Sequence, residues 1–356
     1  MKINLTMVRY LFILSLTFIC GCNLRPDPEA LPLSVNATLN LLQEDPQFVM
    51  YMNFKSMSRT EFWKKNVSDS LLNAEKTFGS LLNTFKMATG ASVSEGLDEF
   101  YYSNSWFGEN AIVLKGIFDR NKLNNFLATD SIFSITKNSN GVNIYIKNDN
   151  GLYFFFKDDF TICSSNYLKQ IDVMLAAKDT SQTGLLTNVK VFDAIQNIIY
   201  KQDLWMVSTE KVFIRGIFQN LIESTSGIRL SENDSLSDSL SQNKSDSISI
   251  NEKLSMENFY KRLNSISFSA QMKKDLKFLV QCESVDAESA KYLASILNGL
   301  ITVAKLSSSG KQKAPGIVDK LKLNRYDNDI FIELQVDESN LHELRKTNLI
   351  NEPGSF

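Results

Sequence analysis

Three observations predict an α+β fold for this chain. Runs of alternating apolar residues, which signal strands, are interleaved with stretches of three-to-four apolar spacing, which signal helices. The order strand, helix, strand, strand, helix, strand can be read twice along the chain, and this is the order of the split βαβ or ferredoxin-like unit. Turn residues such as Asn138-Ser-Asn-Gly141 separate further short strands, so the first half gains an extra antiparallel meander. The 356 residues are 43% hydrophobic, with 24 Phe and 11 Tyr, which is ample material for two such halves around a packed core.

The chain begins with a secretory pattern. Lys2 and Arg9 precede the apolar run Tyr10 to Ile19, which is too short to span a bilayer. Ile19-Cys20-Gly21-Cys22 follows, with an apolar residue three before Cys22 and a small one immediately before it. This is similar to the processing site of bacterial lipoproteins. The similarity implies a signal peptide over residues 1–21, recognised through Ile19 and Gly21, and lipid on Cys22. Several acyl chains would hold the protein stably to a membrane. Residues 22–45 contain Pro26, Pro28 and Pro32 and are mostly polar, so they read as a lipidated N-terminus and extended tether.

A first α+β half is expected over residues 46–203. Phe48 to Phe54 reads as a strand, and Arg59 to Ala88 as a helix with Leu71, Leu72, Phe78, Leu81, Leu82 and Phe85 on one face. Strands are expected at Leu97 to Ser103 and Ala111 to Phe118, then a short helix capped by Asp119. The meander follows at 132–136, 142–146, 152–156 and 160–164, and helices at 168–176 and 189–200. A second half, 204–346, opens with the strand Leu204 to Ser208 and a helix at 212–223. The Ser/Asp/Asn-rich stretch 229–253 lacks aromatics and cannot bury enough surface to offset ordering, so it reads as a disordered insertion. Strands at 266–272 and 276–282, a helix capped by Asp286, strands at 321–326 and 330–336 and a short helix at 339–346 complete the half. Residues 347–356 read as a flexible C-terminus.

Charge and chemistry exclude several function classes. The formal net charge is −2, and removal of residues 1–21 takes away two basic residues and no acidic one. No basic excess remains to neutralise phosphates, so nucleic acid is not an expected partner. The one histidine, His342, stands four residues after Glu338 on the last helix, and a pair of ligands falls short of a zinc site. Ser308-Ser-Gly-Lys311 lacks the glycine spacing and following Ser/Thr of a phosphate loop. Cys163 and Cys282 remain after processing, and free buried thiols, a disulfide and a reactive thiol all stay open for them. The run Tyr153-Phe-Phe-Phe156 reads as core strand.

Gly96-Leu-Asp-Glu-Phe100, Val113-Leu-Lys-Gly-x-Phe-Asp119, Gly141-Val-x-Ile-Tyr145 and Gly184-Leu-Leu-x-Asn188 together resemble a family of uncharacterised bacterial envelope proteins. That resemblance covers residues 48–336 and implies an α+β body carried on a signal or lipid anchor; it carries over no catalytic residue and adds no activity. The expectation is a non-enzymatic lipoprotein of the cell envelope, anchored in the outer membrane and facing the periplasm. It would need no cofactor and would bind or scaffold other envelope proteins. The alternative is a lipid-anchored receptor for a small apolar ligand, suggested by the aromatic content.

Overall fold

Alternation of apolar and polar residues places successive side chains on opposite faces of a sheet, and here it does so across twelve strands. The computed structural model describes residues 25–66, 89–91, 96–129, 131–149, 151–178, 182–217, 260–309 and 318–340. The first half contains α1 (Leu33–Leu39), β1 (Phe48–Asn53), α2 (Phe54–Met57), α3 (Glu61–Asn66), β2 (Leu97–Asn104) and β3 (Asn110–Gly116). It continues with α4 (Arg120–Thr129), β4 (Phe133–Lys137), β5 (Asn143–Lys147), β6 (Leu152–Asp158), β7 (Thr161–Ser165), α5 (Leu168–Ala176), a 3₁₀ turn (Gly184–Thr187) and α6 (Val189–Gln196). The second half comprises β8 (Leu204–Ser208), α7 (211–217), β9 (Leu263–Met272), β10 (Leu276–Ser284), α8 (Ala287–Ser309), β11 (Lys322–Tyr326) and β12 (Asp329–Val336).

All twelve strands among the described residues lie in one antiparallel sheet, in the order β11-β12-β10-β9-β8-β1-β2-β3-β7-β6-β5-β4. The mixed α+β class is therefore as the sequence predicts, and so is the meander β4 to β7. The neighbours differ from the split βαβ expectation. In that unit the first strand lies between the third and the fourth, whereas β1 pairs with β2 and with β8, the first strand of the other half. The sequence pattern gives the order of elements but not which strand each helix returns to.

A repeat of a different kind is present. In each half, one strand is followed by a hairpin (β2–β3, β9–β10), then a helix (α4, α8), then strands that return to pair with the hairpin's second member. β7 returns to β3, and β12 returns to β10. The two halves meet at the β1–β8 pair, where Tyr51 faces Trp205.

One face of the sheet carries Val49, Tyr51, Tyr101, Val113, Phe155, Cys163, Trp205 and Val207, all buried with residues of α1, α5 and α6 in the largest core cluster. On the opposite face, α4 buries Leu123 and Leu127 against Tyr145. In the second half, α8 buries Ala290, Leu293 and Leu297 against Ile266, Cys282 and Ile330. Both helices start as their sequences predict: Asp119 accepts from Lys122 N at 3.0 Å and Asp286 from Ser289 N at 2.7 Å.

The tether expected over residues 22–45 is corrected from residue 25 onward. Val35, Leu39, Leu41 and Leu42 are core residues, all under 4% exposed. Gln43 Nε2 donates to Glu109 O, and Gln170 Nε2 donates to Leu41 O. Prolines in this segment set an extended path along the body and leave the apolar residues after Pro32 free to enter the core. The chain from Arg25 to Gln43 is thus a strap built into the fold. The expected signal peptide, the greater part of the helix 59–88, the insertion 229–253 and the C-terminal residues 347–356 lie outside the described residues.

Candidate interaction surface

Ile19, Gly21 and Cys22 lie outside the described residues, as do His342 and Lys311. Glu338 is exposed and pairs with Lys65 at 3.5 Å. No cluster of three or more His, Cys, Asp or Glu side chains with metal-ligand geometry occurs among the described residues. Cys163 and Cys282 are free and buried. Burial pushes both thiols up to about 12, so neither is poised as a thiolate nucleophile at neutral pH.

Beneath α1, a polar group interrupts the core. Tyr101 donates to Glu99 Oε2 at 2.7 Å and Tyr51 donates to Glu99 Oε1 at 3.3 Å. Burial, and then the Glu99 carboxylate, raise both phenols far above their usual range, which keeps them as donors. Trp205 lies tilted against Tyr51, with ring centroids 5.6 Å apart, and its Nε1 is buried without an acceptor. This arrangement fixes the sheet centre.

A cavity of about 250 Å³ lies at the β9–β10 turn, lined by Gln271, Lys273, Lys274, Asp275, Lys277 and Gln335. It is open to solvent and formed by long polar and charged side chains, without the apolar enclosure that an apolar ligand needs.

Among the described residues, an exposed apolar surface lies at the β2–β3 turn. Trp106 and Phe107 occupy the tip, and Phe107 is 90% exposed. Three neighbouring junctions converge on this turn. Trp106 Nε1 donates to Glu210 Oε2 at 3.4 Å, next to Lys211-Val212 at the start of α7. Asn166 Nδ2 donates to Gly108 O at 2.8 Å, close to Leu168 at the start of α5. Lys190 Nζ donates to Thr209 O at 3.0 Å, next to Val189 at the start of α6. Leu168, Val189 and Val212 are all exposed. Charges of both signs flank these residues in sequence: Lys169, Lys190 and Lys211, and Glu109 and Glu210. Burial, and then Lys190, lower Lys211 from the ordinary lysine value, so these two ammonium groups are close enough to repel.

Sequence reading missed this surface. Its signal was present: Ser105-Trp-Phe-Gly108 puts two aromatics in a turn, where the neighbouring turns carry Asn, Asp and Gly. The convergence of four chain segments was not legible, because it depends on which strands neighbour β2 and β3. A second exposed pair, Ile132 and Ile135, lies by and on the edge strand β4.

No family model matches the chain, and no curated protein matches it. Among solved structures the chain is similar to TP0453. In crystal form I the identity is 9% and the TM-score 0.47, over 87% of this chain and 96% of that one. In crystal form III the identity is 7% and the TM-score 0.47, over 87% and 97%. In crystal form IV it is 8% with a TM-score of 0.43, over 90% and 96%.

Proposed function

We propose that this chain is a lipid-anchored protein of the bacterial cell envelope that binds or scaffolds other envelope proteins without catalysing a reaction. The anchor is read from Ile19, Gly21 and Cys22, with the outer membrane, facing the periplasm, as its site. The single observation that carries the binding role is the Trp106–Phe107 tip with Leu168, Val189 and Val212 beside it. Exposed apolar groups clustered with polar neighbours characterise surfaces that close against a partner. Aromatic residues also supply a disproportionate share of binding energy at interfaces.

Affinity purification from crosslinked native cells tests this reading, with wild type beside Cys22→Ala and Phe107→Glu. An envelope protein recovered with wild type and depleted in both variants supports it. Equal recovery with Phe107→Glu removes the tip as the binding surface, and equal recovery with Cys22→Ala removes the requirement for the anchor.

A further inference from the structure

The strap sets how far the body can stand from its anchor. Arg25 Nη2 pairs with Asp329 Oδ2 at 2.9 Å, at the start of β12, and the Asp329 side chain is mostly buried. Four residues on, Glu29 is held from three sides. Its N–H donates to Ile199 O, its Oε2 accepts from Lys201 N, and its Oε1 accepts from Gln271 Nε2. Only residues 23 and 24 separate Cys22 from Arg25. Three residue steps of fully extended chain reach at most about 11 Å. A lipidated Cys22 therefore leaves almost no slack between the bilayer surface and the end of the sheet that carries Asp329.

That end is a defined surface. Ser284 N donates to Asn328 O at 2.8 Å, and Val285 N donates to Arg262 O at 2.9 Å. The β11–β12 turn, the β10–α8 junction and the start of β9 are thereby held together around Arg25. Val285 is exposed on it. Arg25, Arg262 and Arg325 stand there with Glu283, Asp286, Asp327 and Asp329, so these groups give no cationic excess to attract anionic lipid. Proximity comes from the covalent anchor and the strap.

We propose that the body rests directly on the bilayer, docked through the β10–β11–β12 end of the sheet at Asn328, Val285 and Arg25, with the strap acting as a short rigid mount. This rests on the reading of Cys22 as the lipidated residue. The partner of this surface is the lipid headgroup layer. The β4 edge, ten strand spacings away along the sheet, stands about 48 Å from β12 measured across the strands.

The experiment uses the full lipidated chain in phosphatidylcholine vesicles that contain a headgroup-attached quencher. Asn328→Cys and Ser139→Cys carry the same fluorophore. The native Cys163 and Cys282 are buried, so the introduced thiol is labelled selectively. Quenching several-fold stronger at position 328 than at 139 is expected, and unchanged when salt is raised. A flexible insert of about twenty Gly/Ser residues between Asn23 and Leu24 should abolish the difference. Arg25→Ala, which leaves Glu29 as the first fixed residue, should reduce it. Equal quenching at the two positions in a vesicle-bound protein overturns the docking and leaves the anchor intact. A wild-type chain that stays in solution, as Cys22→Ala is expected to, overturns the anchor and the docking together.

Discussion

Lys201 shows how a single residue ties the N-terminal strap to the sheet. Its side chain is 1% exposed, and its ammonium donates to Glu29 O at 2.5 Å and Gln196 O at 2.6 Å. Burial pulls its pKa down to about 8, and the Glu29 carboxylate offsets part of that pull. In the unfolded chain a lysine keeps its proton to about pH 10.4. Between these values the unfolded chain binds more protons than the native one, so the lysine's contribution to stability rises with pH. The slope is at most about 1.4 kcal/mol per pH unit. Lys201→Met is expected to make the pH dependence less positive than in wild type by up to this amount, seen as urea midpoints compared at pH 7.5 and pH 9.5. Cys163 and Cys282, which stay protonated in the native state while unfolded thiols ionise at about pH 8.5, lower the slope equally in both proteins. An unchanged pH slope in the variant would rule the assignment out. Measurements above pH 10 would mix in Tyr51 and Tyr101, which stay protonated in the native state while unfolded tyrosines ionise. Nothing near Lys201 in sequence announces burial: Tyr200-Lys-Gln-Asp203 reads as a polar turn, and Glu29 is 172 residues away.

At the scale of elements, the strap is where sequence reading and structure part most clearly. Strands bounded by Asn-Gly or Asp turns were legible almost to the residue. The β4–β5 hairpin pairs Lys137 with Asn143, and Asn138 Oδ1 accepts from Asn140 N and Val142 N within the predicted turn. Leu168–Ala176 and Leu204–Ser208 also match their predicted spans. The strap was not legible as structure because its prolines and polar residues dominate its composition. Val35, Leu39 and Leu42 nevertheless recur at helical spacing after Pro32, and that stripe is what enters the core. Gly184 explains how the strap fits so closely. Its φ is +54°, and a Cβ there would lie 2.4 Å from Leu42 O and 2.5 Å from Asn40 O. Gly184→Ala would therefore push on the strap backbone and also strain its own. A loss of about 1–3 kcal/mol or more is expected. Denaturant midpoints check this, and a midpoint within error of wild type would show that the strap is not seated there. Gly116 has the same role at the first hairpin, with Gly96 O only 2.0 Å from the position of its absent Cβ. Gly116 and Gly184 thus both have packing reasons for being glycine.

For the whole molecule, the question is whether the two halves are independent. A boundary at residue 203 is natural in sequence, since β8 opens the second reading of the element order. The core ignores it. Trp205 and Val207 are fully or almost fully buried in the same cluster as Tyr51, Tyr101 and the strap residues Leu39 and Leu42. β8 pairs with β1 on one side and with β9 on the other, so a cut at 203 would expose the edge of β1 and remove a tryptophan from the first half's core. The strap crosses the same boundary, from Asp329 on β12 to the core under α1. These couplings predict one cooperative transition. Tryptophan fluorescence and far-ultraviolet circular dichroism should give coincident urea curves. Trp205→Ala should move both curves together, at a cost of about 3–5 kcal/mol for a large buried aromatic. The orphaned Nε1 of Trp205 tempers that cost, because its burial is unfavourable in the native state. Two separated transitions, with Trp205→Ala shifting only one, would instead establish halves that fold alone. The central β1–β8 pair would then be a docking contact between finished domains, and the shared sheet would be a consequence of their association.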